Sequence, residues 1–413
     1  FLFHSALTRA FLALVLGLDS PDRVRGISFR DQAGLIVRTK NRAQCADLDS
    51  LPWPTRTPPF HSYVGMPIAN VLGSRGCFGR CNFCSIAAWH KKNGGQRFRQ
   101  REPDQVAGEM AVLYHEYGVR IFNFHDDNFF LRSESANLDR FAALKSALGK
   151  EAVGHIAVQI KARPDSISRK VVDCLKELGL FRVFLGVESN AVAGLRTLRR
   201  GIRREQNREA LHILETAGIH TTFNLLMFDP ETTVQDMNDN LDFLEANARF
   251  PVNFGRVEVY TGTPLERRLR GEDRLRGDYF GFSYEIRNPE VERAFRMFKQ
   301  VFTPRNFDDG GMNLVGMKLD YLLHLLAHFY PHRVTADLRR QCKSEIEELN
   351  RNSVELLKMI QKFTIETELS DSRSEVLLAD ELVVERDVFD QESRRRMTRL
   401  MNRIEQLGNV GCQ

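Results

Sequence analysis

The stretch IANVLGSRGCFGRCNFCS, residues 68–85, joins an apolar run to three cysteines, Cys77, Cys81 and Cys84, crowded into eight positions. The apolar part reads as a strand, which puts the cysteines on the loop that leaves its C-terminal end. A regular alternation follows. Helical patterns, with apolar residues three and four apart, cover 105–118, 137–149, 168–179, 204–218 and 234–247. Strand patterns fall between and after them, over 120–129, 155–165, 182–189, 220–228 and 254–265. Four of the five helices end in or near Gly, which tolerates the left-handed turn that closes a helix. Strands alternating with helices build parallel βαβ units, and six of them predict an α/β fold.

Outside this block the pattern changes. Residues 25–40 alternate like a small hairpin, and DLDSLPWPTRTPP (47–59) is a Pro-broken connector. Residues 1–60 therefore read as the end of one unit plus a linker, 61–280 as the βα block, and 281–413 as a helical region without strands. The spacing of Leu7, Phe11, Leu14, Val15 and Leu18 predicts a packed amphipathic helix. Residues 317–330 predict an apolar helix packed on the βα block, and 341–363 a solvated amphipathic one. The chain begins with Phe, and upstream sequence is expected to be missing.

The chain has 413 residues, 42% of them apolar and 27% charged, with a formal net charge of +5, all ordinary for a soluble globular protein. That balance permits an acidic partner without demanding one. Of seven cysteines, Cys45, Cys174, Cys342 and Cys412 stand alone, so a reducing, cytoplasmic compartment is expected rather than a disulfide framework. No run is long and apolar enough to span a bilayer, so no membrane partner is expected. The basic run RTLRRGIRR (196–204) lacks interleaved aromatics and reads as a solvated turn, which argues against nucleic acid. His324, His328 and His332 recur at four-residue spacing in or just after an apolar helix, and read as core or capping groups.

Three readings of the cysteine loop stand side by side. Two thiols can pair; three plus a His such as His90 can hold Zn²⁺, although no second CxxC knuckle is present; or three can hold an iron–sulfur cluster with one iron left open. Gly76 and Gly79 let backbone fold tightly around a bulky group, while Arg75 and Arg80 offset negative charge.

CFGRCNFC resembles the CxxxCxxC motif of the radical S-adenosylmethionine (SAM) superfamily, including the aromatic residue before the last Cys. The resemblance extends over about residues 65–270 and implies a partial (β/α)6 barrel of TIM type, with its site at the C-terminal ends of the strands. It further implies a [4Fe–4S] cluster on Cys77, Cys81 and Cys84, and SAM on the open iron, cleaved to a 5′-deoxyadenosyl radical. SAM contacts are expected from Asp126 and Asp127 toward the amino group, Glu188 toward ribose or carboxylate, and Phe83 and Met227 near the adenine. Arg163, on one strand face with Gln159 and Lys161, is expected to reach a carboxylate in the site. The Gly-Gly-Glu form common in the superfamily is absent; DDNF (126–129) instead resembles the cobalamin-associated branch.

Residues 1–60 likewise resemble the junction after a cobalamin-binding domain, as in methyltransferases and enzymes of the anaerobic Mg-protoporphyrin ester cyclase type. The DxHxxG motif of that domain does not occur in these residues, so cobalamin is expected only with an upstream domain. The resemblance implies an enzyme acting on an unidentified small molecule by methyl transfer, ring formation or related chemistry, with a flavodoxin or ferredoxin as electron donor. The alternative is a zinc-binding or iron–sulfur electron-transfer module without radical chemistry.

Overall fold

A computed structural model describes residue 16, residues 20–369 and residues 371–409, apart from the side chains of Asn93 and Ser372. The helix expected around Leu7–Leu18 lies outside the described residues. The first described elements are the hairpin predicted there, β1 (Ser28–Arg30) and β2 (Ile36–Arg38).

The central sheet holds β3 (Ser62–Tyr63), β4 (Met66–Val71), β7 (Ile121–Phe124), β8 (Ala157–Ala162), β9 (Leu180–Glu188), β10 (His220–Phe228) and β11 (Val252–Arg256). Their spatial order is β11-β10-β9-β8-β7-β4-β3; β3 is antiparallel to β4 and the other six are parallel. The sheet curls into the expected partial barrel.

Five crossover helices cover its outer face: α2 (Pro103–Tyr117), α3 (Glu134–Lys150), α4 (Arg169–Glu177), α6 (Arg204–Thr216) and α7 (Val234–Ala246). Two shorter helices, α1 (Ser85–Asn93) and α5 (Val192–Thr197), belong to the loops above the strands. Strand period 2 decides the layers. Val158, Ile160, Val183, Leu185, Phe223 and Leu225 point outward and are buried against Met110, Phe141, Leu175, Leu211 and Leu244. Helix starts are set by side-chain caps: Ser133, Ser168 and Thr233 each accept a backbone N–H from the first helical turn. Gly179 ends α4 at φ +87°, where a Cβ would collide with the carbonyl of Ile156.

After β11 the chain adds α8 (Pro264–Gly271) and a hairpin of β12 (Leu275–Asp278) and β13 (Gly281–Tyr284), which the strand patterns do not announce. This hairpin straddles residue 280, the end assigned to the βα block. Four helices follow: α9 (Pro289–Asn306), α10 (Met312–Phe329), α11 (Ala336–Glu366) and α12 (Ser372–Asn409).

The apolar helix α10 closes the floor of the barrel. Its Leu319, Leu322, Leu323 and Leu326 join one buried cluster with Ile121, Ala157 and Phe181 from the N-terminal ends of three strands. Hydrogen bonds add direction to that contact. The Asp320 carboxylate accepts from His220 Nδ1 at 2.6 Å, and His328 Nε2 donates to the Ile156 carbonyl at 2.9 Å. His324 and His328 thus serve the packing, as their spacing suggests, while His332 falls on an exposed turn.

The expectation of a solvated helix over 341–363 needs correction. One face of α11 is fully buried through Ile346, Leu349, Val354, Leu357 and Ile360, because α9, α10 and α12 wrap it. Leu322→Ala, which empties the floor, is expected to cost about 2–5 kcal/mol. Urea unfolding would show it, with iron uptake at the distant cysteine loop unchanged. No helix among the described residues is long and apolar enough to cross a membrane.

Candidate functional site

The cysteine loop is held in a clasp above the strand ends. β5 (Ser74–Gly76) enters it, β6 (Phe98–Gln100) leaves it, and the two pair antiparallel, with Ser74 opposite Gln100 and Gly76 opposite Phe98. Gly76 sits at φ +89°, where any Cβ would strike the Arg97 carbonyl. Asn82, 5% exposed between two of the cysteines, pins the loop from below. Its N–H donates to the Leu198 carbonyl, its side chain donates to the Thr197 carbonyl, and its own carbonyl accepts the Leu265 N–H.

The three thiols are free and border one cavity of about 160 Å³ at the mouth of the barrel. Each meets different donors. Cys77 Sγ accepts the Gly79 N–H at 3.2 Å. Cys84 precedes α1, and the N–H groups of Ile86 and Ala87 point at its sulfur. Cys81, buried, accepts from Arg200 Nη1 at 3.1 Å, with Arg163 Nη1 at 3.7 Å. Burial pushes the Cys77 and Cys84 thiols up, against those donors, so both favour the protonated form until a metal takes the proton's place.

Of the other expected residues, Phe83, Asp127, Arg163 and Glu188 line the same cavity. Asp127 accepts the Gly76 N–H at 2.9 Å, so the carboxylate also steadies the loop. Arg163 forms a fork with Asp165, at 2.9 and 3.1 Å, and donates to the Arg200 carbonyl at 2.7 Å. Glu188 ends β9 at φ +66°, a left-handed conformation that a non-Gly residue adopts only when its surroundings enforce it. Burial raises its carboxyl, and Arg200 and Arg163 oppose the shift.

Two expectations are not met. Asp126 faces away from the cavity, fully buried, and accepts from Ser74 Oγ and from the Gly73 N–H at 3.1 Å, joining β4 to the clasp. Met227 has the wrong strand parity: it points outward into the core beneath the helices, 1% exposed.

One residue was missed. Arg200 lies in the basic run read as a solvated turn, yet it is 6% exposed and lines the cavity, donating to both Cys81 and the Gly186 carbonyl. The available signal is the apolar spacing Leu195, Leu198, Ile202, all three buried, which turns one side of the run inward.

Burial, ahead of its hydrogen bonds, pushes Asp126 up from 3.8 to about 6. The folded chain then binds the proton more tightly than the unfolded one, so stability is lost as pH rises from about 4 to about 6. The loss is on the order of 3 kcal/mol. Denaturation midpoints at pH 4 and pH 7 should therefore differ less in Asp126→Asn than in the parent chain.

The donor set discriminates among the metal readings. A single zinc at about 2.3 Å from each sulfur would draw the sulfurs to about 3.8 Å apart. Among the described residues, the set of His, Cys, Asp and Glu whose donor atoms all lie within 4.8 Å of one another is His220, Asp320 and His324, not the three cysteines. His90, the suggested fourth ligand, directs Nδ1 to Gln44 Oε1 at 3.0 Å and does not line the cavity. Thiols spread around a cavity suit a polynuclear cluster.

Residues 71–244 match the Radical SAM superfamily model. That segment is similar to radical SAM domains. The superfamily implies a [4Fe–4S] cluster and SAM, and the three free thiols around one cavity fit the cluster. The domain is 25% identical over 247 residues to the uncharacterized methyltransferase PH0819 of Pyrococcus horikoshii, covering 59% of this chain and 51% of that protein. It is 28% identical over 274 residues to the anaerobic magnesium-protoporphyrin IX monomethyl ester cyclase of Synechocystis sp., covering 62% and 51%.

The chain thus spans about half the length of the curated relatives it matches. Its fold resembles the cobalamin-dependent SAM radical enzyme OxsB, solved with aqua-cobalamin and SAM bound. That TM-score is 0.63 at 16% identity, covering 98% of this chain and 67% of OxsB. The radical SAM methyltransferase TsrM of Kitasatospora setae shares the fold at TM-score 0.51 and 17% identity, over 65% and 52%.

Proposed function

We propose that this chain is the catalytic part of a radical SAM enzyme that cleaves SAM reductively and uses the resulting 5′-deoxyadenosyl radical on a small molecule, for methyl transfer or ring formation. One observation carries the reading: three free thiols on one loop, at the C-terminal ends of six parallel strands, share one cavity.

Cys77, Cys81 and Cys84 would hold the cluster. When bound, the cluster supplies an open iron position and one electron at low potential. The chain's own residues do the rest. Arg200 and Arg163 offset the negative charge at Cys81, the least exposed of the three sulfurs. Asp127 presents an acceptor at the rim, suited to the ammonium of a bound amino acid. Phe83 offers an aromatic face to the adenine. Glu188, kept in a strained backbone conformation, provides a fixed acceptor between two guanidiniums.

One named relative is an uncharacterized methyltransferase and the other an ester cyclase, which supports that reaction class. A flavodoxin or ferredoxin is the proposed donor, in a reducing compartment. Cobalamin, present in the OxsB and TsrM structures, is proposed only where a further domain supplies its site.

Anaerobic reconstitution tests the proposal. About four irons per chain, with 5′-deoxyadenosine formed only when reductant is added, is the expected result. One zinc per chain and intact SAM would instead support the electron-transfer or zinc-module reading.

A further inference from the structure

The inner wall of the barrel carries a band of polar side chains beside apolar ones such as Phe184, and the charge in that band has a sign. On β8, Val158, Ile160 and Ala162 face the helices, so Gln159 and Lys161 face the lumen. Pairing across the sheet sets Asn70 opposite Asn123, Asn123 opposite Gln159, and Gln159 opposite Arg182. Two hydrogen bonds organise this row: Asn123 Nδ2 donates to Asn70 Oδ1 at 2.6 Å, and Arg182 Nη1 donates to Gln159 Oε1 at 2.9 Å.

Above the row, Lys161 lines the mouth cavity. Among the described residues no carboxylate pairs with its ammonium, nor with Arg182, whose Nε is buried without a partner. His125 stands close enough to be affected: burial first, and the Lys161 ammonium second, lower its pKa.

The nearby acids make their contacts elsewhere. Asp127 accepts the Gly76 N–H, Glu188 faces Arg200 and Arg163, and Asp320 on the floor accepts from His220. Lys161 thus shares its cavity with Asp127 and Glu188 but is bonded to neither, and no carboxylate is bonded to Arg182 or the row of amides below. An apolar guest would leave these groups without partners in a desolvated space, which is costly. A guest carrying anionic oxygens would complete them.

We infer that the lumen binds the substrate through an anionic oxygen group, a phosphate or a carboxylate, received by Lys161, with hydroxyl or amide groups read by the row of Asn70, Asn123, Gln159 and Arg182. This rests on the radical SAM reading of the mouth, since it takes the lumen below the cysteines as the substrate's place.

The test uses the full chain reconstituted with its cluster, titrated calorimetrically with glycerol 3-phosphate, glycerate and neutral glycerol, and with S-adenosyl-L-homocysteine as a cofactor probe. The parent chain binds at least one of the two anions more tightly than glycerol, and the tighter one identifies the group. Lys161→Met weakens that binding about tenfold or more, as loss of a charged hydrogen-bond donor should. Lys161→Arg retains it, and binding of S-adenosyl-L-homocysteine is unchanged in both variants.

Equal binding of anions and glycerol by the parent chain overturns the inference, as does undiminished anion binding by Lys161→Met. A comparable loss for S-adenosyl-L-homocysteine in Lys161→Met also overturns it, because Lys161 then serves the cofactor. Iron content and 5′-deoxyadenosine formation on the same preparation score the parent reading separately. Lys161-dependent anion binding by a chain that takes up no iron supports the anion site and refutes the radical enzyme.

Discussion

Replacing Cys81 by alanine is expected to leave a folded chain that holds almost no iron and forms 5′-deoxyadenosine at least about a thousandfold more slowly. The reason lies in what surrounds each sulfur. Cys77 and Cys84 border the cavity at its edge and receive only backbone N–H groups. Cys81 is the least exposed of the three and has two guanidiniums against its sulfur. Without it, two raised thiols remain, too few to retain a cluster.

The fold should survive this change. Arg200 keeps the Gly186 carbonyl and Arg163 keeps Asp165, while the core under the helices does not use the sulfur. Iron and sulfide analysis beside a thermal melt would separate the two effects. A variant with full iron content would remove Cys81 from the ligand set.

Arg200→Met is expected to be nearly as damaging, lowering 5′-deoxyadenosine formation about a hundredfold and stability by about 3 kcal/mol, as when one partner of a buried charged pair is removed. Arg200 joins three parts of the site: the Cys81 sulfur, the Gly186 carbonyl on β9 and the field at Glu188. Loss of its charge lets burial push the Glu188 carboxyl further up, so the acid limb of the pH–rate profile should move to higher pH. The cluster potential should fall, because a cation has left the neighbourhood of a ligand sulfur. Arg200→Lys, which keeps charge but not the fork, should recover the potential more fully than the rate. An unchanged pH profile and potential would reduce Arg200 to a packing role.

The barrel was legible because its signals are local. β10 falls on the residues its pattern marks, 220–228, since a strand buried on both faces reads as one apolar run between a helix stop and a turn. The cysteine loop was legible for a similar reason, three thiols within eight residues. The last strand was marked late: β11 is Val252–Arg256, and the apolar residues after it, Val257 and Val259, belong to a buried loop that mimics a strand pattern.

Side-chain facing was harder to read. Asp126 and Asp127 are equivalent in sequence, yet one joins the clasp to β4 and the other borders the cavity. Met227 was placed on the wrong side because the parity of β10 is set by its pairing, with register shifts against both neighbours. Arg200 was hidden by composition. Five arginines within nine residues look alike until a neighbouring sulfur and carboxyl single out one of them.

The tether through Asn82 carries a consequence for biosynthesis. The loop is braced at that one residue by Thr197, Leu198 and Leu265, which lie more than a hundred positions further along the chain. During synthesis those hydrogen bonds close only after position 265 has been made, so a nascent chain shorter than that carries the three thiols without this brace.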